Sequence, residues 1–200
     1  MSDYKSKSVF TQLGARNYAT TERQGEDFYA THPEVLKLFL DKFYEDGERL
    51  SECVWEPACG NGHLSEVLLS RGHSVMSTDI IEREYPCEIK DFLADDDYWQ
   101  GDILTNPPYK YAKEFVLKAL ESVDNGRKVI MLLKVQFLES DNRYKDLFSK
   151  YPPKYVYVFS KRIQCRINGD FSKNTSSAMC YCWYVWQKGF KGETILRWIP

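Results

Sequence analysis

Apolar residues recur along the chain at two spacings. Val35, Leu36, Phe39, Leu40 and Phe43 fall three or four apart, the stripe of one helix face. Gly47 ends that stripe, and upstream Thr31 and Glu34 stand at capping-box spacing with Pro33 in the first turn. The helix is expected to open within residues 28–34, with His32 a surface residue of the cap that carries no chemistry. Leu64, Val67 and Leu68 mark a second helix, and Ala112, Phe115, Val116, Ala119, Leu120 and Val123 a third. Tyr144, Leu147, Phe148 and Tyr151 mark a fourth, stopped by Pro152-Pro153. Between the helices lie short apolar runs at 53–55, 74–79, 88–93, 103–105, 129–133, 155–159, 178–186 and 194–199. The run 129–133 is apolar at every position, as expected of a strand covered on both faces in a parallel sheet. Strands alternating with helices predict an α/β fold with a largely parallel sheet. Ligands of such a sheet gather at the C-terminal ends of its strands.

The remaining segments are polar. Residues 1–27 lack periodicity and read either as a flexible arm or as an ordered segment lying over a site. Asp95-Asp96-Asp97 reads as a solvated helix start, and Asp124-Asn125-Gly126 as a turn. At 43% hydrophobic and 28% charged, 200 residues make about one soluble domain, taken as 28–200. The net charge of −2 excludes bulk attraction to a polyanion but not a local basic patch. Such a patch exists between Lys161 and Lys173, where Lys161, Arg162, Arg166 and Lys173 face Asp170 alone, with Phe171 beside a sharp Asn168-Gly169 turn. This stretch, within 160–177, is the candidate for nucleic-acid contact. The aromatic run 178–186 reads as core and not as a base-stacking platform. Cys53, Cys59, Cys87, Cys165, Cys180 and Cys182 show no paired metal spacing. They read as reduced, mostly buried thiols of a cytoplasmic protein with no metal. No apolar run is long enough to span a membrane, and the N-terminus lacks a secretory core.

Candidate chemistry falls where strands stop. Ile103, Leu104 and Thr105 suit a buried strand, which Asn106-Pro107-Pro108-Tyr109 ends abruptly because proline donates nothing to a ladder. The Asn106 side-chain carbonyl and the Pro107 backbone carbonyl are two acceptors for the two hydrogens of a planar amino group, and Tyr109 offers a ring to stack on. An ordinary strand-ending turn would use the same residues. Glu56-Pro57-Ala58-Cys59-Gly60-Asn61-Gly62 carries a second strand into a glycine turn and a helix. A dinucleotide site would want a third glycine where Ser65 stands, and Glu56 would repel a pyrophosphate; a cationic ligand suits it better. Asp79, followed by Ile80, ends the next strand at the spacing from Gly60 that reaches ribose hydroxyls. Asp91-Phe92 could accept from an adenine amino group and stack on the purine.

These motifs, in this order, resemble the class I S-adenosylmethionine-dependent methyltransferases. Among them the chain is most similar to compact phage- and prophage-type N6-adenine DNA methyltransferases, from about residue 28 to the end. The resemblance implies a Rossmann-like, mostly parallel seven-stranded sheet whose last long strand, 178–186, runs antiparallel. It implies S-adenosyl-L-methionine as cofactor, contacted by Tyr29, Thr31 and Pro33, by Glu56, Pro57, Ala58, Gly60 and Gly62, by Asp79 and Ile80, and by Asp91, Phe92 and Asn106. It makes Asn106, Pro107, Pro108 and Tyr109 the catalytic corner and nucleic acid the partner, DNA ahead of RNA. The length leaves no room for the separate target-recognition domain of restriction-type enzymes. Methylation of an RNA base amine or of a protein glutamine amide uses the same corner. A binding module that kept the fold without the chemistry is the remaining alternative.

Overall fold

The structure is a computed structural model that describes residues 29–163, 165–167 and 179–200. Strand β1 (Tyr29–Thr31) leads into helix α1 (Pro33–Glu45), followed by β2 (Cys53–Glu56), α2 (His63–Ser70), β3 (Ser74–Asp79), β4 (Glu88–Ile89) and β5 (Asp102–Thr105). A 3-10 turn (Tyr109–Tyr111) opens α3 (Ala112–Ser122), and β6 (Lys128–Lys134) follows. A short helix α4 (Asp141–Arg143) and a π turn (Tyr144–Phe148) then precede β7 (Tyr155–Phe159), β8 (Cys165–Ile167), β9 (Tyr181–Gln187) and β10 (Ile195–Ile199).

Eight strands form the main sheet in the order β10-β7-β9-β6-β5-β2-β3-β4. All its pairings are parallel except those of β9, which runs antiparallel between β6 and β7. The expected seven strands gain β10, paired parallel to β7 from Ile195↔Tyr155 to Ile199↔Phe159. The extension holds because Ile199 reaches the core while Arg197 pairs with Asp46 of the α1 C-cap at 2.6 Å.

Alternation along the strands builds two cores. In β6, Ile130 and Leu132 face α1 and α2, whereas Val129, Met131 and Leu133 face α3. A strand with both faces covered can afford no polar side chain between its ends, hence the continuous apolar run. The stripe of α1 meets β9 and β7, with the Phe39 ring stacked on Trp183 at 4.9 Å and edge-on to Tyr157 at 5.3 Å. At the lower edge, buried Asp102 accepts from Ser51 N (2.7 Å) through Oδ2 and from Lys128 N (2.8 Å) through Oδ1. That carboxylate sets the starts of β2, β5 and β6 level, and so sets the level of their functional C-terminal ends.

Several local expectations change. Thr31 does not cap α1: it belongs to β1, and His32 is the N-cap, its Nδ1 accepting from Glu34 N at 3.2 Å. Pairing of β1 with β8 holds Thr31 extended, so the cap moves one residue on. The strand expected over 88–93 shortens to Glu88–Ile89, because Asp91 turns back and accepts from Leu93 N. Asp95-Asp96-Asp97 starts no helix: Asp95 (2.8 Å) and Asp97 close on Lys90, and Asp96 lies 3.4 Å from Lys118. The fourth helix is one short α turn running into a π turn. The thiols are less uniformly buried than expected, with Cys59 and Cys182 buried, Cys87 half-buried, and Cys53 and Cys180 exposed at strand starts. The aromatic run in β9 is core, as its pattern predicts.

Candidate active site

The glycine turn after β2 is held from β3. Cys59 N donates to Thr78 O (3.0 Å), and Gly60 N to Asp79 Oδ2 (2.8 Å). The other Asp79 oxygen accepts from Ile81 N at 3.0 Å, so two backbone donors fix the carboxylate at the strand end. Gly62 caps α2 at φ 75, and the Tyr85 ring lies where a side chain would project, 2.1 Å from an added Cβ. Any larger residue there is excluded twice, by backbone and by contact. Glu56 is 1% exposed and accepts from Ser65 Oγ, which also meets Ser77 Oγ at 2.7 Å. Burial pushes the Glu56 carboxyl up to about 8, against the lowering pull of the Ser65 hydroxyl.

The corner after β5 turns as its prolines dictate. The Asn106 carboxamide nitrogen donates to Thr31 Oγ1 at 2.9 Å, across 75 residues of sequence. The Tyr109 ring lies over the ends of β6 and β9, with Lys134 Nζ 4.7 Å from its centroid and the Tyr181 ring 5.9 Å away. Lys134 and Tyr181 are register partners across those strands, so one rung of the sheet supports the ring.

One cavity of about 740 Å³, within the range of small-molecule sites, joins the strand ends. It is lined by Thr31, Glu56, Pro57, Ala58, Asp79, Ile80, Asp91, Phe92, Asn106, Pro107 and Pro108. Pro33, Gly60, Gly62 and Tyr109 stand outside the lining: Pro33 begins α1, the glycines form the back of the turn, and Tyr109 faces the neighbouring strands. Tyr29 contributes backbone to β1, and its side chain is outside the described residues. Phe92 is 2% exposed, its ring held against Trp55 (5.1 Å) and Phe115 (5.0 Å), so it offers the cavity little open face. Ile80, 59% exposed, offers more. Lys161 and Arg162 are exposed beyond β7, and Arg166 lies in β8 opposite Ala30. Phe171 and Lys173 fall outside the described residues.

Sequence reasoning passed over other lining residues. Asn61, His63 and Leu64 form the first turn of α2 and its approach, which the glycine signal itself could have flagged. Lys110 and Tyr111 follow the corner directly. Ile81 and Arg83 come from the β3–β4 loop, which has no pattern of its own. Lys90 lines the cavity with its ammonium held above the usual lysine range by Asp95 and Asp97.

The strand order, with a single antiparallel strand one place in from the β7 edge pair and a cavity across the strand ends, is the Rossmann-like α/β fold of the class I methyltransferases. Among solved structures, an assigned RNA methyltransferase from Pyrococcus horikoshii matches with TM-score 0.61 and 16% identity over 93% of this chain and 100% of its own. The type IIG restriction endonuclease BpuSI matches with TM-score 0.58 and 16% identity over 86% of this chain and 27% of its own. A Burkholderia thailandensis 1,6-didemethyltoxoflavin-N1-methyltransferase, with 1,6-didemethyltoxoflavin and S-adenosylhomocysteine bound, matches with TM-score 0.51 and 11% identity over 76% of both chains. No family model and no curated protein matches the sequence. Among the described residues no helix is long and apolar enough to cross a membrane.

Proposed function

We propose that the protein is an S-adenosylmethionine-dependent N-methyltransferase whose target is the N6 amino group of adenine in DNA. The observation that carries this reading is the common cavity of Glu56, Asp79, Asn106 and Pro107, lying at the ends of three adjacent strands. The residues fit the cofactor. A buried carboxyl at Glu56 suits an ammonium, and no phosphate would be welcome beside it. Asp79, already fixed by two backbone donors, keeps lone pairs for ribose hydroxyls. The bound cofactor supplies an electrophilic methyl group.

The chain does the rest. An aromatic amine is a weak nucleophile because its lone pair is delocalised into the ring. Asn106 Oδ1 and Pro107 O accept its two hydrogens and favour a pyramidal nitrogen. Those bonds strengthen as positive charge develops on that nitrogen, so they act mainly on the transition state. The neutral amine needs no base before transfer. Tyr109 stacks on the target ring, and Pro108 keeps the corner rigid. A base in a duplex must be flipped out to reach it, at about a few kcal/mol. Lys161, Arg162 and Arg166, with Phe171 and Lys173, are the proposed contacts to the nucleic-acid backbone.

The test is transfer of labelled methyl from S-adenosylmethionine to unmethylated DNA, total RNA and protein, with nucleoside analysis of the product. N6-methyldeoxyadenosine is expected. Label confined to RNA would shift the target to an RNA amine, which the likeness to the assigned RNA methyltransferase favours as the second reading. Absence of S-adenosylmethionine binding by titration calorimetry would overturn the reading altogether.

A further inference from the structure

A carboxamide has two ends that differ in chemistry and hardly in shape. Only the oxygen can accept from an amine; the nitrogen presents hydrogens, which would repel the hydrogens of the target. A catalytic asparagine therefore has to be turned the right way. In this chain Asn106 Nδ2 donates to Thr31 Oγ1 at 2.9 Å.

We propose that Thr31 is a positioning residue for methyl transfer: its hydroxyl fixes the Asn106 carboxamide with the oxygen toward the target amine. The inference rests on the amine-methylating reading above. Three features make Thr31 suited to the task. It is 3% exposed, so water does not compete for the hydroxyl. It is held from both sides, by pairing with Cys165 in β8 and by the α1 N-cap at the next residue. It is β-branched, so few rotamers are open to it in a strand. Both residues line the cavity, which puts the oriented amide where ligands meet.

The prediction turns on symmetry. An aspartate at position 106 has two equivalent oxygens and no wrong way round. Thr31→Val should lower kcat about tenfold to a hundredfold in the Asn106 enzyme, through loss of the bond and of amide orientation. The KM for S-adenosylmethionine should stay within about threefold, because the ground-state contacts of the cofactor are kept. Thr31→Ser should restore most of the rate. In an Asn106→Asp background, which keeps an acceptor and part of the activity, Thr31→Val should cost less than about threefold. A purely structural Thr31 would instead lower stability and rate equally in both backgrounds, and that result overturns the proposal. A second readout needs no turnover: the Asn106 side-chain NH2 signals in NMR spectra of the full chain should be protected from hydrogen exchange, and should lose protection in Thr31→Val but not in Thr31→Ser. Unchanged protection in Thr31→Val also overturns it. If the parent methylates neither DNA, RNA nor protein, the functional reading falls, and the NMR comparison alone decides whether Thr31 orients the amide.

Discussion

Glu56 ends β2 with a carboxyl that burial pushes up to about 8, so in the ligand-free protein near neutral pH it is mostly protonated. An unfolded glutamate titrates near 4.5. Between those values the native state holds more protons than the unfolded chain, so this group's contribution to stability is full below about 4.5 and is lost as pH rises through about 8. Glu56→Gln should therefore raise the melting temperature of the ligand-free protein above pH 8, by a stabilisation on the order of a few kcal/mol, and leave it unchanged near pH 4. Thermal scans across that range check it. Binding should show the opposite sign. A cationic ligand favours the carboxylate, so S-adenosylmethionine should release a proton on binding and bind more tightly as pH rises from about 6 to 8. Calorimetry in buffers of different ionisation enthalpy should detect that proton in the parent and not in Glu56→Gln. At this scale the sequence is legible where a polar residue stops an apolar run, as at Glu56, Asp79 and Asn106. It is silent on Thr31 with Asn106 and on Lys134 beneath Tyr109, because no local spacing records which loop returns to which strand end.

Among the elements, α1 carries the largest share of one core. Phe39 is fully buried against Phe43, Tyr157 and Trp183. Phe39→Ala should cost about 3–5 kcal/mol, from lost transfer free energy and the cavity left behind. Denaturant unfolding measures it, and a loss under about 1 kcal/mol would mean that the layer collapses to fill the space. The stripe of α1 was legible because helical periodicity is long enough to count. The ribbon of β1 with β8 was not. Three residues on each strand, Tyr29↔Ile167 through Thr31↔Cys165, give alternation too short to separate from chance. Its existence nonetheless draws the N-terminal approach and the basic stretch to one side of the corner. The π turn at 144–148 was equally hidden: its apolar residues keep nearly helical spacing while the backbone widens by one residue.

Across the whole molecule, charge divides along the upper rim of the sheet. Glu56, Asp79 and Asp91 end or follow β2, β3 and β4, whereas Lys110, Lys134, Lys161 and Arg162 end or follow β5, β6 and β7. A net charge of −2 conceals that division, which appears only once strand order is known. Fold class was legible from alternating elements; strand order was not, since periodicity records faces and not neighbours. The slot between β6 and β7 has a further consequence for how the chain is made. Synthesis from the N-terminus delivers both walls of that slot before the strand that fills it. Until β9 emerges, the apolar edges of β6 and β7 have no partner, and an open strand edge is where chains associate wrongly. The last wedge, Tyr181–Gln187, is thus a timing element: the ribosome has nearly finished when the sheet first closes. Nascent chains stalled before residue 181 should be protease-sensitive and bound by chaperones, and should become resistant only after residue 187 has cleared the exit tunnel; resistance already present in chains stalled near residue 165 would show that the walls close without the wedge.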